Sequence, residues 1–278
     1  MPVRRPRVCL AAVAAVTAAA ALTTTARAQD AGEVVPVPDR SGEQRRAALR
    51  LARAIATDPD VIRRASFSAL PPFANPAAIS TKRLAGFPRH GSSFGILSSG
   101  SATRADDPND TGDRSTSLGG PSVRGARDVT IMRMVLQVPR PARCLSVRFK
   151  FLSEEFPEWV NDAYNDAFIA ELDTSSWTAG DKDDPTIKAP GNFAADARGN
   201  PIRVNAIGNT TVRPWRARGT TYDAATRILR ASTRVTPGRH ILYLSIFDQG
   251  DREFDSAVFV DRLTLDRRSP CTSGAVPD

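Results

Sequence analysis

Residues 144–152 (CLSVRFKFL) alternate without a break. Leu145, Val147, Phe149 and Phe151 fall on one face, and Ser146, Arg148 and Lys150 on the other. A period of two over this length is the pattern of a β-strand with one face in a core. Further strand-like runs occupy 129–138, 167–172, 227–233, 240–247 and 257–265, with Pro and Gly between them, as in Thr236-Pro237-Gly238. Residues 66–125 are rich in Gly, Ser, Pro and Asn, with short apolar islands such as 94–97 (FGIL), and read as loop and short strand. Helical periodicity occurs near the start, at 43–56: Ala48, Leu51, Ala52 and Ile55 share a face, with Arg46, Arg50 and Arg53 largely opposite. A helix of this kind docks by its apolar side. Many strands and no later long helix predict a mainly β chain: an antiparallel, jelly-roll-like β-sandwich with a short N-terminal helix. There is no internal repeat.

The first residues have the layout of an export signal. Arg4, Arg5 and Arg7 precede an apolar run from Val8 to Leu22, and Ala26-Arg27-Ala28 is a small-residue cleavage pattern. Cleavage is expected between Ala28 and Gln29. The run is shorter than the roughly 20 residues that span a bilayer, and no later segment is apolar enough to do so. The expected division is a signal peptide at 1–28, a flexible lead-in at 29–42, an amphipathic helix at 43–59, a β-sandwich domain at 60–268 and a polar tail at 269–278. No C-terminal anchor is evident, so the mature product is expected to be secreted and released.

Export alters how the cysteines and the charge are read. Cys9 leaves with the signal, and Cys144 and Cys271 remain as a disulfide candidate in an oxidising compartment. The formal charge of +8 suggests nucleic acid at first. The Arg residues are scattered, however, with no basic stripe interleaved with aromatics, and nucleic acid is excluded as a partner. Acidic residues, by contrast, are gathered into two islands, 151–190 and 248–261.

Each island starts where a predicted strand ends, at Ser153-Glu154-Glu155 and at Phe247-Asp248. Loops at one end of a sandwich bring such carboxylates together, and close carboxylates need protons, cationic partners or a bound cation. Ca²⁺ takes six to eight oxygen ligands. Glu154, Glu155, Asn165, Asp166, Asp248, Asp251 and Asp255 are of the right type. Residues 106–113 (DDPNDTGD) have part of an EF-hand loop, but its twelfth position is Leu118 where a bidentate Glu is required. Residues 91–95 (GSSFG) match a nucleophile elbow, but no helix follows. There is no phosphate loop, zinc-protease helix or dinucleotide fingerprint.

The two acidic segments carry a resemblance. Phe149-Lys150-Phe151-Leu152-Ser153-Glu154-Glu155-Phe156-Pro157-Glu158-Trp159, then Tyr164-Asn165-Asp166-Ala167-Phe168, and later Asp248-Gln249-Gly250-Asp251 through Phe254-Asp255-Ser256-Ala257-Val258-Phe259, are similar to the choice-of-anchor L family. Phe94 to Gly100, Thr221-Tyr222-Asp223 and Val235 to Gly238 fit it too, so the likeness spans roughly residues 60–266. The resemblance implies a bacterial, β-rich extracellular domain with no established catalytic activity. It also gives a reason to treat the two acidic motifs as one site. The expected function is non-enzymatic: extracellular binding or adhesion toward a carbohydrate or protein ligand, with Ca²⁺ fixing the acidic loops. The alternatives are an exported glycan-active hydrolase that uses a carboxylate pair from the same cluster, and a purely structural cell-envelope protein.

Overall fold

The computed structural model describes residues 32–37, 41–112 and 114–278. The predicted export signal and its cleavage point at Ala28 and Gln29 lie outside the described residues. The chain forms β1 (Val34–Pro36), α1 (Ser41–Ile55), β2 (Ile62–Ala69), β3 (Ala77–Ser80), β4 (Phe94–Ser98), β5 (Arg127–Val138), β6 (Cys144–Ser153) and β7 (Ala167–Leu172). It continues through β8 (Thr178–Ala179), β9 (Ile187–Lys188), β10 (Ile202–Arg203), β11 (Ala224–Ala225), β12 (Leu229–Arg234), β13 (Gly238–Asp248), β14 (Ser256–Asp266) and β15 (Gly274–Pro277).

These strands make two main sheets. The larger runs β1-β3-β4-β14-β6-β12-β15, with β11 also pairing to β6, and the smaller runs β10-β7-β13-β5-β2. Pairings between these strands are antiparallel. The path passes from sheet to sheet in β5 to β6 to β7, and again in β12 to β13 to β14, which is the jelly-roll-like sandwich expected.

Alternation builds the core between the sheets. Val147, Phe149 and Phe151 of β6 and Val258 and Val260 of β14 meet Met132, Met134 and Leu136 of β5 and Leu242, Leu244 and Ile246 of β13. The helix buries Ala48, Leu51, Ala52 and Ile55 in the same core, so its apolar face is docked as expected. No helix among the described residues is long and apolar enough to cross a membrane.

Three features differ from the sequence expectation. The face of β6 that carries Arg148 and Lys150 is buried rather than solvated. Loops fold over it, closing a second apolar cluster around Phe87, Phe94, Phe259 and Tyr222. Lys150 donates to the carbonyls of Ala85 (2.6 Å) and Arg216 (3.0 Å), and its ammonium is pushed down to about 8, mainly by burial. The lead-in contains β1, which pairs with β3, and the polar tail contains β15, which pairs with β12. The tail is fixed by the Cys144–Cys271 disulfide and by an ion pair of 2.6 Å between Arg148 and Asp278.

Candidate functional site

The sandwich topology brings the two acidic loops to one end. Residues 154–166 join β6 to β7, and residues 249–255 join β13 to β14, so both loops cross between the sheets on the same side. Register then places the side chains. Ser153 pairs with Ser256, which sets Glu154 beside Asp255, and the Glu154 N–H donates to the Asp255 carbonyl at 3.1 Å. Phe247 pairs with Ala167, which sets Asp248 beside Asp166. β4 ends at the same place, since Ser98 pairs with Ala257.

Aromatic packing holds the loops to each other. The ring of Trp159 lies 5.0 Å from that of Tyr164 within the first loop and 5.6 Å from that of Phe254 in the second. Gly250 has φ +100°, and a Cβ there would sit 2.8 Å from Tyr164 Cδ1, so the close approach of the loops requires glycine on both counts. A third segment closes the site. The Thr116 N–H donates to Asp255 Oδ1 (2.8 Å), the Asp255 N–H to the Arg114 carbonyl (3.1 Å) and the Phe254 N–H to Ser115 Oγ (2.7 Å). Asp255 also rests on Gly100, where a Cβ would come within 1.8 Å of its Oδ2.

Six of the seven predicted residues are buried together: Glu154, Glu155, Asn165, Asp166, Asp248 and Asp255 are each no more than 3% exposed. Asp251 is half-buried at the rim and accepts the Glu253 N–H at 3.1 Å. Gln249 and Asp128 belong to the same end and were not singled out by charge pattern. Gln249 is fully buried, and Asp128 forms an ion pair with Arg252 while accepting the Leu118 N–H at 3.1 Å. Several other acids of the islands are engaged elsewhere. Glu171 accepts from Ser176, Asp173 from His240 and Ile241, and Asp261 from the N–H groups of Arg89, His90 and Arg262.

The bonding within the cluster is incomplete. Among the described residues, seven buried oxygens of this cluster accept no hydrogen bond: Glu154 Oε1 and Oε2, Asn165 Oδ1, Asp166 Oδ2, Asp248 Oδ1 and Oδ2, and Gln249 Oε1. The Ser99 and Ser256 hydroxyls lie near Asp248 and Asp166, but they donate to the Ser256 carbonyl (3.3 Å) and to Ser153 Oγ (2.9 Å). An ionised carboxylate left this way costs several kcal/mol, so the group takes a proton or a cation.

The acidities follow from that environment. Burial pushes Glu154 up to about 9, with the Asp223 and Asp255 charges adding to it. Burial pushes Asp166 up to about 8 and Asp255 up to about 6. Glu155 and Asp248 are held well above the carboxylate range by burial first and then by the charge of Asp166. The Asp166 and Asp248 carboxyls are close enough to hydrogen-bond when one of them holds a proton.

Among the described residues, no three His, Cys, Asp or Glu side chains group as a metal cage by themselves. The oxygen set here is mixed, because Asn165 and Gln249 supply amide oxygens between the carboxylates. Oxygen-only sets of that kind suit hard cations rather than zinc or copper. The cluster includes neither histidine of the chain.

The choice-of-anchor L domain family matches residues 72–266, which include both acidic loops and the strands that carry them. No curated protein matches the chain. Among solved structures, the chain is similar to TmCBM61 in complex with β-1,4-galactotriose, at a TM-score of 0.28 and 12% identity, over 74% of this chain and 88% of that one. It is also similar to the enzymatically active domain of bacteriophage CBA120 tailspike protein 4, at a TM-score of 0.24 and 10% identity, over 68% of this chain and 18% of that one. Likenesses this distant carry no inference about function.

Proposed function

Since the chain belongs to the choice-of-anchor L family, we propose that it is an extracellular, non-enzymatic binding domain whose acidic loops are locked by Ca²⁺. The observation that carries this reading is the set of seven buried side-chain oxygens without hydrogen-bond donors at the one end where both loops meet. A divalent cation between the loops would satisfy those of Asn165, Asp166, Asp248 and Gln249. Asn165, Asp166, Asp248 and Gln249 are the inner ligands, with Glu154 and Glu155 beside them and Asp251 and Asp255 at the margin. Ca²⁺ accepts a flexible, high-coordination set of carboxylate and amide oxygens, whereas Mg²⁺ demands near-ideal octahedral geometry and keeps several waters.

The role in this reading is architectural. Without a cation the loops must keep protons on their buried carboxyls, and with one they would become a rigid rim for a carbohydrate or protein ligand. The 1–28 segment would export the chain and mature it at Gln29, placing it where Ca²⁺ is abundant. Burial of the carboxylates also favours binding over hydrolysis. A glycosidase pair must reach both sides of a scissile bond, and groups this enclosed do not meet a polysaccharide.

Thermal melting in Ca²⁺ and in chelator tests the proposal, with Asp248→Asn as the control. A native-state ligand at about 100 times its dissociation constant adds about 3 kcal/mol, so the midpoint of the unaltered protein should rise in Ca²⁺ and that of the variant should move far less. Equal midpoints in Ca²⁺ and chelator would sink the metal site.

A further inference from the structure

The outer face of the larger sheet carries a second feature, which the acidic cluster does not use. An open groove of about 690 Å³ runs between residues 106–109 and 214–223. That volume lies within the range of about 300–1,000 Å³ usual for small-ligand sites. On one wall stands Trp215, 58% exposed, a side chain that folded proteins ordinarily keep largely covered.

The indole is mounted rigidly. Trp215 sits in a short 3-10 turn, Pro214–Arg216. The residue before the turn is tied to β11, with the Arg213 N–H donating to the Ala225 carbonyl at 2.8 Å and the reverse bond at 3.2 Å. The Arg216 guanidinium lies over the ring at 6.0 Å and is itself anchored to the Thr211 carbonyl at 2.7 Å. The polar wall is also held in place. Asp106 pairs with Lys82 (2.7 Å), Asp107 with Arg114 (3.4 Å), and Asn109 Nδ2 donates to Asp223 Oδ1 (2.9 Å). Arg218 adds an exposed donor.

We infer that this groove is a saccharide-binding site for a neutral glycan, with Trp215 as the stacking platform and Asp106, Asp107, Asn109 and Arg218 as hydroxyl partners. A pyranose has an apolar C–H face and a rim of hydroxyls, and this groove pairs a flat exposed ring with fixed carboxylate, amide and guanidinium groups. Ordered partners lower the entropy cost of binding. With Asp106 paired to Lys82 and Asp107 to Arg114, the lining's other charged groups, Asp223 and Arg218, are opposite in sign, and so low a net charge suits a neutral glycan better than uronates, sulfated sugars or nucleic acid. The inference rests on the reading of the domain as a binding module and names its ligand class, and the groove lies next to the acidic end. Residues 222–223 of the lining lead directly into β11, whose partner on β6 is Leu152–Ser153, immediately before Glu154.

The test is affinity electrophoresis of the full chain through gels containing soluble galactan, β-glucan or mannan, with polygalacturonate as the acidic comparison. At least one neutral polysaccharide should retard the protein. Trp215→Ala should weaken the retardation by about tenfold, the loss of one stacked ring of about 1.4 kcal/mol, and Asn109→Ala should weaken it as well. Phe73→Ala, an equally exposed aromatic outside the groove (64%), should leave it unchanged. Melting midpoints establish that each variant is folded. Retardation by none of the neutral polymers, by polygalacturonate alone, or equally in Trp215→Ala overturns the site. The metal reading fails separately: a midpoint indifferent to Ca²⁺ alongside Trp215-dependent retardation removes the cation and keeps the groove.

Discussion

In chelator, the fold should lose stability as pH rises from about 5 to about 7. In the folded protein Glu154 is pushed up to about 9 and Asp166 to about 8, with burial the largest cause in both. In the unfolded chain the same groups return to about 4.3 and 3.9. Between those limits the folded state holds two protons that the unfolded state has released. Their contribution is therefore complete below the unfolded values and is lost as pH climbs toward the folded ones. Two protons over two pH units amount to about 5 kcal/mol, at about 1.4 kcal/mol per proton per unit. For a domain of this size, that is a fall in midpoint of about 10–20 °C. Asp255, at about 6, adds to the lower part of the window, and Glu155 and Asp248 act in the same direction. Differential scanning calorimetry across this range in chelator reads the effect directly. Ca²⁺ at about 10 mM should flatten the profile if, as proposed, it takes the place of the protons at a site of the extracellular affinity class. A chelated midpoint that stays level or rises across the window would refute the reasoning, since it would mean the cluster is not carrying protons in the folded state.

Two further outcomes follow from the packing. Gly100→Ala places a Cβ within 1.8 Å of Asp255 Oδ2; chemical denaturation should show a loss of about 1–3 kcal/mol together with a weaker Ca²⁺ response, and a variant that matches the parent on both counts contradicts the close approach. Replacing Cys144 and Cys271 with Ser opens a loop with a sequence separation of 127; urea denaturation should show a loss of up to about 5 kcal/mol on the chain-entropy account, and unchanged stability would mean that the tail is held without the bond.

Apolar runs between turn residues carry most of the fold. The runs at 129–138, 144–152, 167–172, 227–233, 240–247 and 257–265 locate β5, β6, β7, β12, β13 and β14 to within two residues, because apolar, β-branched stretches bounded by Pro and Gly mark buried strands. What escapes the pattern includes β2, whose eight residues (IRRASFSA) show no clean alternation, and strands that are short or nonlocal. β1 and β15 have three and four residues, too few to display a period, and owe their place to pairing partners far along the chain. Arg148 and Lys150 read as solvent-facing because nothing in their own strand announces the loops that fold over them. The acidic end is legible for a specific reason: acids that follow directly on strands must lie at strand ends, and antiparallel strands bring those ends together. Gln249 is uncharged and Asp128 lies outside both islands, so charge counting passes over them. The groove around Trp215 is assembled from segments about a hundred residues apart, and neither the partial EF-hand pattern at 106–113 nor Thr221-Tyr222-Asp223 signals that they meet.

In the proposed site one cation would replace protons in the buried oxygen cluster. Calorimetric titration of CaCl₂ into chelator-stripped protein near neutral pH, repeated in two buffers of different ionisation enthalpy, measures the stoichiometry and the proton release together. One Ca²⁺ per chain should bind, with protons released on binding, and both signals should be lost in Asp248→Asn. Absence of binding heat, or binding with no proton release, would contradict it.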